Sequence, residues 1–360
     1  MFMARVVALW LNYNSSRLWD IARESLHSVL NLERGDFSLT ILVVDGGSTD
    51  NSPDLINKYI SNIGFKNEVV LYRLSENRGY AGNLNSGYEY AVNNLGADYV
   101  VFLNNDFIVR SDSLRRLFEW IKKGEYVGIQ GLELRPDGVV SNAGMFHDEF
   151  GQVLSACGGY KIEDCDLSKP YFVTFPIGSY MIYSVDFINE LPDKLPFITD
   201  TFMNFDDNYI GLMAWQRSRK VAFVPVIEGV HHSGSTSRSL YGVRSSSVNL
   251  YLAIKARMAL WENMQCRYHN LFKLYKSRLH LMAKLHLLDE SMRRGIFDGI
   301  KLAKIVREKA GIIDMEKATH VEFSRSYYLI RSAVPGFGSI ATHDSHIKYL
   351  SKYIRYPDKL

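Results

Sequence analysis

Three cysteines among 360 residues (Cys157, Cys165, Cys266) are an odd number without metal-like spacing. They exclude a disulfide framework and fit a reducing compartment. No apolar run reaches the roughly 18 residues of a membrane span; the nearest, Tyr171 to Val185, is broken by Pro176 and Gly178. Met1 to Trp10 carries Arg5 in an apolar run and no small-residue cleavage site, so it reads as a first strand rather than a signal peptide. A cytoplasmic protein is therefore expected. The glycine-containing stretch Glu76 to Asn83 has neither the Gly-Lys-Ser/Thr of a Walker loop nor the Gly-x-Gly-x-x-Gly of a dinucleotide fold. Kinase-like and dehydrogenase readings lose their support there. No nucleic-acid recognition motif accompanies the basic residues, so nucleic acid is not an expected partner.

What is present is a core-forming chain, 47% hydrophobic and 22% charged, large enough for one sizeable domain and an appendage. Apolar runs rich in β-branched residues alternate with helical spacing through the first third. Arg5 to Leu11, Leu39 to Val44, Val69 to Leu74 and Tyr99 to Leu103 read as strands. Helical segments follow at Asp20 to Leu32, Pro53 to Asn62 and up to Asn94. Strands and helices joined by short connections predict a doubly wound, mainly parallel α/β sheet with right-handed crossovers.

The strand ends carry the chemistry. The first closes on Asn12-Tyr13-Asn14, the second on Asp45-Gly46-Gly47-Ser48-Thr49-Asp50, the third on Glu76-Asn77-Arg78-Gly79-Tyr80-Ala81-Gly82-Asn83, and the fourth on Asn104-Asn105-Asp106. In an open α/β sheet this rim is where ligands bind. Backbone N–H groups and Arg78 suit phosphate, Asp45 and Asn12 to Asn14 suit a nucleoside, and Asp106 with its flanking amides offers hard oxygens to Mg²⁺ or Mn²⁺. The competing reading of Asn104 to Asp106 is a plain cap on a helix spanning Ser111 to Lys122. Ser48 to Asp50 are likewise expected to cap the helix that starts at Pro53.

Taken together, Val43-Val44-Asp45-Gly46-Gly47-Ser48-Thr49-Asp50, Glu76 to Gly87, and Leu103-Asn104-Asn105-Asp106 resemble the large inverting glycosyltransferase family 2, whose catalytic domain has the GT-A fold. The Asn-Asn-Asp form and the Arg135-Pro136-Asp137-Gly138 to Gly159 segment most resemble its rhamnosyltransferase-like branch. The resemblance implies a donor linked to UDP, dTDP or GDP, bound with Mn²⁺ or Mg²⁺, and a glycan or lipid-linked acceptor. It further implies that Asp207 is the catalytic base with Asp206 beside it, and that Gly178 and Ser179 lie close to the transferred sugar. The metal site would be completed by a histidine, His231 ahead of His232. As nucleotide-binding candidates it singles out Asn12, Tyr13, Asn14, Asp45, Asn77, Arg78, Gly79, Asn83, Asn104 and Asn105. Several positions depart from the family's pattern: Gly46 stands where a second acid or Asn is common, Asp206 replaces the usual Glu, Tyr209 replaces an Asp, and the helix lacks the family's usual Arg near Met213.

Gly144 to Gly159 reads as a loop-rich insertion facing the acceptor. Ser233 to Arg238 reads as a flap whose Arg238 could meet the diphosphate. The catalytic domain is expected over 1–246, with a nucleotide half (1–110) and an acceptor half (111–246), and a helical basic region over 247–360. Between 255 and 309, thirteen Lys or Arg face five Asp or Glu. Such a run is either a solvated helix face or a basic amphipathic surface resting on anionic lipid at the inner face of a membrane. Two other functions stay open at this level. A sugar nucleotidyltransferase needs a glycine-rich basic loop after the first strand, which Asn12 to Arg17 lacks; a non-catalytic sugar- or nucleotide-binding module would tolerate Gly46 and Tyr209.

Overall fold

The structure, a computed structural model, describes residues 3–64, 67–233, 245–333 and 351–357. A ten-stranded sheet forms its centre. The first strands are β1 (Ala4–Asn12), β2 (Phe37–Asp45), β3 (Glu68–Arg73) and β4 (Tyr99–Asn104), with helices α1 (Trp19–Leu30), α2 (Ser52–Asn62) and α3 (Gly79–Asn93) between them. All four are parallel, in the order β4-β1-β2-β3. Their alternation explains the two-sided core: Val6, Ala8 and Trp10 of β1 join the cluster under α1, while Val7 and Leu9 join the opposite one with Leu84 and Tyr88 of α3.

After β5 (Phe107–Val109) and α4 (Ser113–Ile121), the second half of the sheet is mixed. It comprises β6 (Gly128–Leu134), β7 (Val140–Asn142), β10 (Tyr171–Phe172), β11 (Tyr180–Ser184) and β12 (Val221–His231). Short β11 runs antiparallel between β4 and β6, so parallel pairing dominates only the first half. The expected loop at 144–159 is instead largely a hairpin, β8 (Met145–His147) with β9 (Val153–Ser155), whose Phe146, Phe150 and Leu154 are buried in the main core. Phe146, Phe150 and Leu154 recur at every fourth position, and three-residue strands are too short to show a strand's alternation.

Helices α5 (Val185–Ile188) and α6 (Asp206–Gln216) complete this half, followed by α7 (Ser245–Trp261), α8 (His269–Lys284), α9 (Glu290–Ala310) and α10 (Arg325–Ala333). Trp261, Phe272, Ile296 and Tyr328 of these last helices belong to the same apolar cluster as β1 and β4. A buried ion pair, Arg331 to Asp148 at 2.5 Å, ties α10 to the β8–β9 turn. No helix among the described residues is long and apolar enough to cross a membrane.

Candidate functional site

The register of the parallel strands sets the rim: Asn12 lies opposite Asp45, and Leu11 opposite Asn104. Buried Asn12 is an organiser of this rim. Its Nδ2 donates to Asp45 Oδ1 at 2.7 Å and to Ser52 Oγ at 3.2 Å, and its Oδ1 accepts from Ser15. Ser48 closes the loop by donating its hydroxyl to Asp45 Oδ1 at 2.6 Å and its N–H to Oδ2 at 3.1 Å. Arg73, at the end of β3, reaches Asp45 Oδ2 at 3.3 Å. Asn14 accepts from the N–H groups of Thr49 and Asp50, and Tyr13 is half-buried beside it. Asp50 Oδ1 accepts the N–H and hydroxyl of Ser52, but α2 starts at Ser52 with Asn51 at its N-cap and no side-chain capping bond, so the cap expected from Ser48 to Asp50 is not formed. At Gly46 a Cβ would fall 2.3 Å from Asn83 Nδ2, so a larger residue there requires the Asn83 side chain to move.

The third loop locks onto the start of α3. Asn77 Oδ1 accepts from the N–H of Gly79 and from Asn83 Nδ2, while Asn83 Oδ1 accepts from the N–H of Arg78. Gly79 has φ of +73°, and any Cβ there would lie 2.4 Å from the Phe202 carbonyl. Only glycine suits that point. Asn77 and Asn83 therefore shape the loop, and exposed Arg78 projects from it beside Glu76.

Asp106 does not cap α4, because β5 intervenes. Pairing of β5 with β12 sets His231 opposite Phe107, and the His232 N–H donates to the Asp106 carbonyl at 2.8 Å. His231 Nε2 then lies 3.3 Å from Asp106 Oδ1 and its Nδ1 lies 3.5 Å from Glu133 Oε2. Burial disfavours a charged imidazole here, yet the two carboxylates outweigh it and push His231 up to about 10. Half-buried His232 lines a cleft with Arg135, Asp137 and Ser141. Asn104 and Asn105 flank this group, Asn105 buried.

A second carboxylate pair faces it across the segment Gly178-Ser179. Asp207, half-buried, accepts from the Gly178 N–H at 3.2 Å and from the Asn208 N–H and amide at 2.8 and 2.7 Å. Burial nonetheless raises its pKa. Asp206 is buried; desolvation, then the charge of Asp207, pushes it up to about 7. The Thr201 hydroxyl lies 3.2 Å from Asp206 Oδ1 and 2.6 Å from the Ile198 carbonyl. The hydroxyl donates to both oxygens, and its contact to Asp206 opposes part of that rise. Phe202 and Asn204, at φ of 71° and 76°, hold the turn into α6 in a strained form.

Three residues connecting the two pairs escaped the sequence analysis. Tyr80 donates its hydroxyl to the Gly178 carbonyl at 2.6 Å, and its own ionisation is opposed first by burial and then by Asp206, Asp207, Asp106 and Glu133. That hydroxyl lies within electrostatic range of all four carboxylates. Fully buried Glu133 accepts from the Ser179 hydroxyl. Gln130 accepts from the Ile177 N–H at 2.7 Å. Gln130 and Glu133 were visible as polar residues inside an apolar strand, and Tyr80 as the aromatic between Gly79 and Gly82.

Asp206 carries a stability consequence. Between the ordinary carboxylate value and about 7, the folded protein holds a proton that the unfolded chain has released, so stability falls as pH rises through that window. Asp206→Asn removes the loss. Its thermal midpoint is expected to change less than the parent's between pH 4 and 7 and to exceed it at pH 8; a lower midpoint at pH 8 would contradict the assignment.

Arg238 lies outside the described residues; of the flap, only Ser233 lies within them, lining the His232 cleft. Elsewhere, Glu149, His320 and Glu322 form a buried group whose ligand atoms lie within 4.8 Å of one another and could hold a cation. Its acids are already matched: Glu322 by Arg267 at 2.9 Å and Arg355 at 3.3 Å, Glu149 by His320 at 3.1 Å. Asp106 and His231 are the better-placed pair for the rim. With the Nε2 proton displaced by a cation, the His231 imidazole and the Asp106 carboxylate would form a donor set suited to Mn²⁺, and Glu133 Oε2, 3.5 Å from Nδ1, stands where outer carboxylates sit behind ligating histidines.

Comparison with known proteins bears on this arrangement. The family model described as Glycosyl transferase family 2 matches residues 11–191. The poly-beta-1,6-N-acetyl-D-glucosamine synthase of Staphylococcus aureus is 34% identical over 116 residues, 32% of this chain and 25% of the relative. The poly(ribitol-phosphate) beta-glucosyltransferase of Bacillus spizizenii is 26% identical over 179 residues, 46% of this chain and 26% of the relative. The matches thus span about a quarter of these relatives' length. Among solved structures, GalNAc-T7 with UDP, GalNAc and Mn2+ aligns at a TM-score of 0.54 and 14% identity, over 86% of this chain and 56% of that one. This last likeness is one of fold.

Proposed function

The chain belongs to glycosyl transferase family 2 and is a glycosyltransferase, and from that premise we propose that it moves a sugar from a nucleoside diphosphate to an acceptor hydroxyl with inversion. The observation that carries the reading is the convergence of Asp106–His231–Glu133 and Asp207 on either side of Gly178, with Tyr80 between them. Asp207 takes the proton of the acceptor hydroxyl, the acceptor oxygen forms its bond to the anomeric carbon, and the nucleoside diphosphate leaves with the bonding pair. General-base help of this kind requires an accessible, ionised carboxylate. Half-buried Asp207 is the accessible acid of the two, while buried Asp206, pushed up to about 7, is withdrawn from the acceptor. Keeping the Asp206 proton also spares Asp207 a second adjacent charge.

Asp106 and His231 would hold a divalent cation, Mn²⁺ or Mg²⁺, which when bound supplies Lewis-acid stabilisation of the leaving diphosphate. Asp45, fixed by Asn12, Ser48 and Arg73, meets the nucleoside, and Arg78 extends toward the phosphates. The rhamnosyltransferase-like form of the motifs makes a dTDP-linked deoxyhexose the first donor to try, beside UDP- and GDP-sugars. The acceptor is a glycan or a lipid-linked glycan.

The experiment is calorimetric titration of UDP, dTDP and GDP with and without Mn²⁺, followed by NMR of the anomeric configuration in the product. Binding of one nucleotide with metal and an inverted product support the reading. A retained configuration, or no nucleotide binding in either condition, refutes it. Glu133 acts here through His231 and not on the substrate. Glu133→Gln is expected to weaken Mn²⁺ binding by about 10–100-fold while leaving metal-free nucleotide binding unchanged, as read by Mn²⁺ paramagnetic resonance; unchanged Mn²⁺ affinity would reduce Glu133 to a packing residue.

A further inference from the structure

The sequence left the basic C-terminal region with two readings, and the structure separates its helices. Helix α8 and its exit, residues 269–288, contain Lys273, Lys276, Arg278 and Lys284 and not one Asp or Glu. Two of the four cations are committed to the fold. Lys276 donates to the Trp261 carbonyl at 2.9 Å, and Arg278 donates to the Ser332 carbonyl at 2.7 Å. Lys273 and Lys284 are exposed.

Alongside them, Leu274, Leu281 and Leu285 are 51%, 55% and 59% exposed, and Leu287 at the exit is 65% exposed. At 3.6 residues per turn, Leu274, Leu281 and Leu285 fall within an arc of about 40°. Lys273 and Lys284 flank it on one side. A solvated helix face has no reason to align leucines along its most exposed line. The opposite edge of α8, through Phe272 and Ala283, is buried in the main core, so the helix is fixed with its apolar stripe outward. Helix α10, joined to α8 by the Ser332 hydroxyl on the Leu271 carbonyl, also leaves Leu329 and Ile330 exposed.

We propose that α8 lies flat on an anionic lipid surface, its leucine stripe entering the headgroup boundary and Lys273 and Lys284 meeting lipid phosphates. A cationic flank beside an exposed apolar line, with the first acids only at Asp289 and Glu290 beyond the stripe, fits an interfacial helix, since lipid supplies negative charge and apolar depth together. This deepens the transferase reading by making the acceptor lipid-linked, and it rests on that reading for its purpose only.

The test is co-sedimentation of the full chain with phosphatidylcholine vesicles, with and without phosphatidylglycerol, using L281E/L285E and K273E/K284E. All changed side chains are exposed in the folded chain. Wild type is expected to bind the anionic vesicles and not the neutral ones. Binding should weaken more than about tenfold in K273E/K284E and vanish in L281E/L285E. Nucleotide binding with Mn²⁺ should persist in both variants, so failure of the lipid contact is separable from failure of the transferase reading. Several results would overturn the proposal: no vesicle binding by wild type, equal binding by wild type and L281E/L285E, or a dimer in light scattering that L281E/L285E dissociates without any lipid binding. The last outcome would assign the stripe to a second copy. A fall in melting temperature for L281E/L285E, with no vesicle binding by wild type, would assign it to the chain's own remaining residues.

Discussion

Asp207→Asn is expected to keep its donor and lose its turnover, by about 10²–10⁴-fold in kcat. The substitution is nearly isosteric. Its one amide oxygen can accept either from the Gly178 N–H, now on Oδ2, or from the two Asn208 donors, now on Oδ1, so some positioning is lost along with the basicity. What disappears is basicity at the one acid of the pair that solvent and acceptor can reach. Asp207 is charged in an unfavourable place, partly withdrawn from water, and its pKa is raised for that reason. A base with a raised pKa captures the hydroxyl proton more readily than an ordinary carboxylate would. Because the ionised form is the active one, kcat should rise with pH through the titration of the Asp206–Asp207 pair and then level. Steady-state kinetics with parallel calorimetry of donor binding checks this. Full turnover in Asp207→Asn would move the base elsewhere, and Asp206→Asn would be the next variant to assay.

Much of this site could be read from the chain because its polar residues stand at strand ends, where an apolar run stops at a defined carboxylate. Asp45 and Asp106 are marked in that way. Their relation to each other also followed from the parallel order, since register brings the ends of β1, β2 and β4 to one rim. Glu133 and Tyr80 were less legible. Glu133 sits on β6, which reaches the rim only because β11 enters antiparallel beside it, and a single strand's pattern does not state its neighbour's direction. Tyr80 reads as one aromatic in a glycine-rich helix start; its partner, the Gly178 carbonyl, is 98 residues away. The hairpin at Met145 to Ser155 was hidden by its glycines and by three-residue strands, too short for alternation to register. Asn77 and Asn83 illustrate the opposite case. They were legible as motif residues, but the loop geometry they impose emerged only from their bonds to each other and to the N–H groups of Arg78 and Gly79.

Asp106→Ala is expected to abolish the metal-dependent part of nucleotide binding altogether. The argument rests on what the remaining residues could do. With Asp106 gone, His231 keeps Glu133 on Nδ1, and one imidazole facing an empty position holds Mn²⁺ poorly, because affinity of hard cations grows with the number of charged oxygen ligands. Asp45 cannot substitute, being occupied by Asn12, Ser48 and Arg73 at the other end of the rim. The fold should tolerate the change: Asp106 is held through its backbone carbonyl by the His232 N–H, a bond that alanine retains. Calorimetry of the preferred nucleotide, with and without Mn²⁺, separates the outcomes. If the parent binds more tightly with metal and Asp106→Ala binds equally weakly in both conditions, Asp106 is the ligand. If the variant keeps the metal-dependent gain, the cation sits elsewhere, and the Glu149–His320–Glu322 group becomes the place to look.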